Sequence, residues 1–138
     1  ILEFDDDMVR EIHIHDSSQT FILKKSANKW NLTLPKPSDS IQSFIGKDIL
    51  WTLKSIEFES VLARDPGNTV TGLTSPNVSV KLLDGKNTIL THLLIGNPVA
   101  KLPEMHYLKV AENSNIYTMK KRFIDEILSN LKKLKEKL

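Results

Sequence analysis

Two histidines, His13 and His15, come closest in residue type and spacing to a reactive site. Alternate residues of a strand project from the same face, so both imidazoles could bind one metal ion. A third ligand would have to come from His92, from His106 or from a carboxylate such as Glu11. Such a cluster would suit a metal-dependent hydrolase.

The neighbouring residues favour plain surface histidines instead. Ile12 and Ile14 alternate with the two histidines, and an apolar pair of this kind faces the core of a half-buried strand. His13 and His15 then face solvent, where no surrounding groups would orient them as metal ligands. We therefore expect no cofactor and no bound metal, and keep His13 and His15 as weak metal candidates.

Other catalytic signatures are missing from the sequence. There is no cysteine, which excludes thiolate catalysis, disulfides and cysteine-based zinc sites. No G-x-S-x-G nucleophile motif is present, and the five glycines form no phosphate-binding loop. We expect a protein that is not an enzyme.

Charge and hydropathy also exclude partner classes. The net charge is only +2, and the basic clusters at 120–122 and 132–137 lack interleaved aromatic residues, so we expect no nucleic-acid binding. No apolar run approaches the roughly 20 residues that span a bilayer. Because the sequence does not begin with Met, we leave open an N-terminal membrane anchor ahead of it.

The first half of the chain reads as three strands and a helix. Alternating residues predict strands at 9–15, 20–24 and 29–34, with Ser17 and Ser18 as the first turn. This turn places Ile14 opposite Phe21, Ile12 opposite Leu23 and Glu11 opposite Lys24. Apolar residues at helical spacing predict a helix from about 40 to 55, and a strand is expected at 56–62.

Phe44 and Trp51 lie at the edge of the apolar stripe of this helix. Exposed aromatic side chains are favoured anchors of protein contacts, which makes the two residues candidates for a binding interface. Alternatively, they widen the face that packs on the core. Gly46 lies inside the helix and lowers its intrinsic stability by about 1 kcal/mol relative to Ala.

The second half repeats this order. A loop is expected at 64–77, and strands are expected at 78–82 and 88–95. Breaks at 96–98 and at Pro103 precede a short hairpin formed by 107–110 and 116–118. Thr118 is expected to cap a final helix, whose apolar stripe is Phe123, Ile127, Leu131, Leu134 and Leu138.

Short matches suggest an internal repeat. Asp16 and Asp84, like Thr20 and Thr88, are 68 positions apart. The spacing is consistent with a duplication of 8–62 as 78–138, joined by the loop 64–77, or with chance. We predict one α+β domain spanning 1–138, in which two similar halves of β-hairpin, strand and helix form antiparallel sheet covered by two amphipathic helices.

The chain resembles a bacterial family catalogued as domain of unknown function forty-three forty. The order of short motifs along nearly the whole chain carries the resemblance: Val9-x-x-Ile12-x-Ile14, Phe21-x-Leu23-Lys24, Trp30 ahead of Pro35, Thr71-Gly72-Leu73-Thr74-Ser75-Pro76, Val78-x-Val80, Ile95-Gly96 and Ile116-Tyr117. Proteins of this family are typically envelope proteins with an N-terminal transmembrane helix, and some are associated with auxiliary components of ABC-type exporters of the gliding-motility kind. The family offers no catalytic residues to transfer.

The resemblance implies a non-enzymatic binding or scaffold domain outside the cytoplasm of a bacterial cell. Its expected partner is another envelope protein, and its expected contact with the membrane is only through the anchor. A module that binds a small molecule or a glycan is the alternative function, and the metal-dependent hydrolase is a third.

Overall fold

A computed structural model describes residues 2–37 and 44–136. The described residues form eight strands: β1 Glu11–Asp16, β2 Thr20–Ser26, β3 Lys29–Leu34, β4 Phe58–Val61, β5 Val78–Leu83, β6 Ile89–Val99, β7 Leu102–Val110 and β8 Tyr117–Lys120. They also form three α-helices: α1 Phe44–Ser55, α2 Asn68–Thr71 and α3 Lys121–Lys135. One short 3-10 turn, Asp6–Met8, precedes β1. The start of the first predicted helix (40–43) and Leu138 lie outside the described residues.

The eight strands belong to one sheet in the order β3-β2-β1-β5-β6-β7-β8-β4. Every neighbouring pair is antiparallel. The α+β class predicted from the sequence is confirmed. β4 departs from simple sequence order, because it follows α1 but pairs with β8 at the far edge of the sheet.

The first hairpin has the predicted register. Ile14 pairs with Phe21, and Ile12 pairs with Leu23. The Asp16 side chain closes the turn, since its Oδ1 accepts the Ser18 backbone N–H at 2.8 Å and the Gln19 backbone N–H at 2.9 Å. An aspartate at this position stabilises a tight turn through such bonds to the following backbone.

The centre of the sheet is the pairing of β1 with β5. Ile12 pairs with Leu82 and Ile14 with Val80, and all four side chains are 0% exposed. The buried residues of α1 and α3 belong to the same hydrophobic cluster. They include Ile45, Ile49 and Leu53 of α1, and Phe123, Ile127, Leu131 and Leu134 of α3. This confirms the apolar helical spacing predicted for the first helix and the stripe predicted for the final one within the described residues.

Gly46 allows α1 to approach β3. The Trp30 side chain is 2% exposed, and a Cβ on Gly46 would overlap with the Trp30 indole ring. The sequence suggested only that this glycine weakens the helix. Its role is steric, because no larger residue leaves room for the tryptophan.

The segment predicted as a loop, 64–77, contains helix α2 and packs against β6. Gly72 ends α2 with φ of +67°, in the left-handed region that favours glycine. Leu73 is buried in a second, smaller cluster with Tyr107 and Ile116. A Cβ on Gly96 of β6 would overlap with the Thr71 carbonyl oxygen, so glycine there permits the close approach.

The predicted breaks at 96–98 and Pro103 are wrong. β6 continues to Val99 and β7 begins at Leu102. Register irregularities between Ile95 and Pro98, and again at Val99, let β6 include a proline without losing its pairing to β7. Bulges of this kind are where a sheet tolerates proline.

The predicted helix cap at Thr118 is also wrong. Thr118 lies in β8, is buried, and shares a 2.6 Å hydrogen bond with the Ser60 hydroxyl of β4. Helix α3 starts three residues later, at Lys121, with Lys120 as its N-cap residue. The hydroxyl that could have capped a helix instead joins β8 to the edge strand β4.

An ion pair connects the first turn to the last helix. The Lys135 Nζ lies 2.9 Å from the Asp16 Oδ2, and the Asp16 side chain is only 10% exposed. Burial disfavours the charged carboxylate, but the hydrogen bonds from Lys135, Ser18 and Gln19 outweigh it and hold the pKa of Asp16 well below its ordinary value.

Replacing Gly46 by alanine should destabilise the fold by about 1–3 kcal/mol, because the added methyl overlaps with Trp30. The cost of the steric overlap should exceed the gain of about 1 kcal/mol that alanine brings to a helix interior, so the net change is destabilising. Urea denaturation measures the free energy of unfolding. Gly85→Ala is the control, since its Cβ would meet only Arg10 at 3.7 Å. A Gly46→Ala protein as stable as the wild type would contradict the packing argument.

Asp16→Asn should lower the free energy of unfolding at neutral pH by about 1–3 kcal/mol, because a buried charge-assisted network is lost. The folded-state pKa of Asp16 is depressed, so its contribution exists above the ordinary carboxyl pKa of 3.8 and is lost as the pH falls through the folded-state pKa. The difference in the free energy of unfolding between wild type and variant should therefore become smaller in acid. Denaturation at a series of pH values tests this, with Asp125→Asn as the control. A difference in the free energy of unfolding that stays constant down to the most acidic pH would contradict this role of Asp16.

Candidate functional site

Trp51 is the most exposed large apolar side chain of the described residues, at 68%. Phe44 lies seven residues earlier on α1 and is 43% exposed. Residues seven apart lie on nearly the same side of a helix. The structure therefore brings the two candidate interface residues onto one surface and does not use them to widen the core face of α1.

Trp51 stands between two shallow grooves. The first, about 300 Å³, lies between α1 and α3 and is lined by Thr52, Glu126 and Lys133, among others. The second, also about 300 Å³, has Trp30 and Leu50 among its lining residues. An exposed tryptophan flanked by two grooves offers both an apolar anchor and space for a partner's side chains.

The relative position of the two helices is fixed beside Trp51. The Thr52 hydroxyl donates to Glu126 Oε2 at 3.1 Å and links α1 to α3. The Lys133 Nζ lies 5.7 Å from the centroid of the Phe44 ring, a cation–π distance. We call this area, formed by Phe44, Trp51 and the two grooves, the tryptophan surface.

The two histidines of the sequence motif lie on the same face of β1, as predicted, but each has its own partner. His13 Nε2 is 3.0 Å from Glu11 Oε1. His15 Nδ1 is hydrogen bonded to the Thr20 hydroxyl at 2.8 Å. Neither contact involves the other histidine.

The remaining histidines do not complete a metal site. His92 is in the same cross-strand row as His13, but Lys81 lies between them. The positive charge of the Lys81 ammonium, which lies between the two imidazoles, repels a metal cation at this position. His106 Nδ1 is 3.1 Å from the Gly96 carbonyl oxygen. Within residues 2–37 and 44–136, no three His, Asp or Glu side chains are grouped to hold a metal ion.

A cavity of about 420 Å³ opens where β7 ends beside the start of β6. Its apolar lining consists chiefly of Phe58, Leu90, Val110 and Tyr117, which pack against the main core. The Phe58 and Tyr117 rings stack with centroids 4.5 Å apart. The volume is in the range of small-molecule sites.

Polar side chains lie around the mouth of this cavity: Glu3, His92, Glu112 and Asn113. Partial burial and the positive charge of Lys81 lower the pKa of His92, while the carboxylate of Glu112 acts in the opposite direction. Sequence reasoning missed this site because its residues come from four distant parts of the chain and form no local motif.

Searches against protein-family models, curated proteins and solved structures find no match for this chain. The family resemblance inferred from the short motifs stays a prediction, and function has to be argued from the surfaces just described. No helix in the described ranges combines the length and apolarity that crossing a membrane requires.

The titration of His92 tests the electrostatics of the cavity. Removing the positive charge of Lys81 (Lys81→Gln) should raise the pKa of His92, and Glu112→Gln should lower it, because the two charges act in opposite directions. The ring-proton shift of His92 followed by NMR against pH measures both changes. Lys101→Gln is the control, because Lys101 is not among the causes of the shift. If Lys81→Gln left the titration unchanged, the assigned cause would be wrong.

Proposed function

We propose that the chain is a non-enzymatic binding or scaffold domain whose partner is a protein that docks on the tryptophan surface. The exposure of Trp51 is the observation that carries this proposal. An indole that is 68% exposed on a well-packed helix contributes little to folding, and tryptophan is enriched among the residues that dominate binding energy.

The charges around Trp51 support a protein partner. Asp48, Glu126 and Lys133 line one groove, and Lys47 and Lys54 line the other. An apolar centre with a polar rim of both signs is the usual arrangement of a protein interface. Such a rim favours a partner with complementary charges over a uniformly charged polymer.

The proposal places this domain outside the cytoplasm of a bacterial cell, attached to the membrane through an N-terminal anchor in the full-length protein. Support comes from the ordered motifs that resemble the envelope family, from Val9 to Tyr117. The partner is then another envelope protein.

The proposal includes an architecture of two related halves. Under the 68-residue offset, Ile12 corresponds to Val80 and Ile14 to Leu82. In the sheet, Ile12 pairs with Leu82 and Ile14 with Val80. Exchanging the halves maps these pairs onto each other, which is the relation expected across a pseudo-twofold axis between β1 and β5.

The turns of the two halves support the same relation. The Asp16 Oδ1 accepts the Ser18 backbone N–H at 2.8 Å, and the Asp84 Oδ1 accepts the Lys86 backbone N–H at 2.8 Å. The acceptor residues Asp16 and Asp84 are 68 positions apart, and so are the donor residues Ser18 and Lys86. In this proposal α1 and α3 are the corresponding helices, which pack on each other and cover one face of the sheet.

A second candidate function is the binding of a small molecule or a glycan. The cavity beside the start of β6 favours it, because a lining that combines apolar residues with a few polar groups is typical of ligand sites. The metal-dependent hydrolase is not proposed, since the residues around His13 and His15 supply no third ligand within the described chain.

In-cell photocrosslinking tests the tryptophan surface. A photoreactive phenylalanine analogue at position 44 should crosslink one dominant protein of the envelope fraction, and Trp51→Ala in the same chain should reduce that product several-fold, because it removes the proposed anchor. The same analogue at Leu102 is the matched control, since Leu102 is also exposed (59%) but lies in β7. A product at 102 equal to that at 44, none at 44, or a product at 44 that Trp51→Ala leaves unchanged would contradict the proposal.

A further inference from the structure

The charged side chains that line the cavity mouth are of one sign. Glu3 and Glu112 each place a carboxylate there, and no Lys or Arg is among the described residues that line the cavity. The lowered pKa of His92 favours the neutral form of this third ionisable group. Lys81, whose positive charge acts on His92 from the neighbouring strand, is the opposing charge, but the two carboxylates outnumber it. The mouth therefore has a net negative charge, which attracts cations and repels anions.

The floor of the cavity is apolar and partly aromatic. Phe58, Leu90, Val110 and Tyr117 are partly buried and pack against the main core, so they give the floor a fixed shape. The stacked rings of Phe58 and Tyr117 belong to this lining. Aromatic faces attract cationic and apolar groups alike.

We propose that this cavity binds a small organic cation, with an apolar or aromatic body on the floor and a protonated amine between Glu3 and Glu112. This inference rests on the second candidate function, ligand binding, and names the class of ligand. The two parts of the ligand match the two parts of the cavity, and the pairing of ammonium with carboxylate gives charge-assisted hydrogen bonds.

Two other ligand classes fit less well. A fatty acid or phosphate ester would bring a negative group toward the carboxylates of Glu3 and Glu112, which repel it. A saccharide carries hydroxyls around its whole ring, and those that face Leu90 and Val110 would lose hydrogen bonds to water without gaining new ones. Both classes are represented among the probes of the binding experiment.

The experiment compares three probes by NMR titration of the isotope-labelled protein: 2-phenylethylamine, 3-phenylpropionate and glucose. The first two share a phenyl ring on a two-carbon chain and differ in the charge of the head group. The amine should shift the amide signals of 89–92 and 110–113, with a dissociation constant at least about tenfold lower than that of the carboxylate.

Two variants connect this preference to the named groups. Glu3→Gln with Glu112→Gln should abolish the preference of the amine over the carboxylate while leaving the fold intact, because both side chains are exposed. Glu104→Gln is the control, an exposed acid of β7 that does not line the cavity, and it should keep the full preference.

Each result has one meaning. Binding of the carboxylate as tightly as the amine, or an unchanged preference in the double variant, would overturn the amine assignment. Binding of glucose alone would overturn it too, but would leave ligand binding as the second candidate function. If no probe shifted these signals up to about 10 mM, both would fail, whereas the tryptophan surface would be unaffected.

Discussion

The pairing of β1 with β5 is the interaction on which the rest of the structure depends. It joins the strands that come before α1 to those that come after the α2 segment, through the fully buried residues Ile12, Ile14, Val80 and Leu82. The helices that carry the tryptophan surface pack into the same cluster. The strands that line the cavity, β6, β7, β8 and β4, follow β5 in the order of the sheet. Both candidate sites therefore depend on the apolar pairing of β1 with β5.

Much of the fold could be predicted from local patterns. The register of the first hairpin followed from two serines between alternating residues, and the buried stripe of α3 followed from helical spacing. The errors have non-local causes. β6 runs through Pro98 because pairing with β7 tolerates a bulge there. Thr118 lies in a strand, as expected, but does not cap α3, because β8 continues to Lys120 and the Thr118 hydroxyl bonds to Ser60. Neither β7 nor Ser60 can be identified as a partner from the residues that flank Pro98 or Thr118.

The candidate sites also divide into one that local sequence predicts and one that depends on residues far apart in the chain. Phe44 and Trp51 were found because the periodicity of one helix shows which residues lie beside its apolar stripe. The cavity could not be found this way, since Phe58 and Leu90 come to line one cavity only after the sheet has formed. Likewise, Lys81 separates His13 from His92 through strand pairing that single strands do not reveal.

The position of β4 has a consequence for how the protein is made. β4 leaves the ribosome before β5, β6 and β7, yet its partner β8 follows all three. Contacts between such distant segments form late. Until β8 emerges, Phe58 and Val61 belong to a strand with no neighbour, and unpaired strands of this kind readily join other chains. The nascent protein is therefore most vulnerable to aggregation in the interval between the synthesis of β4 and that of β8.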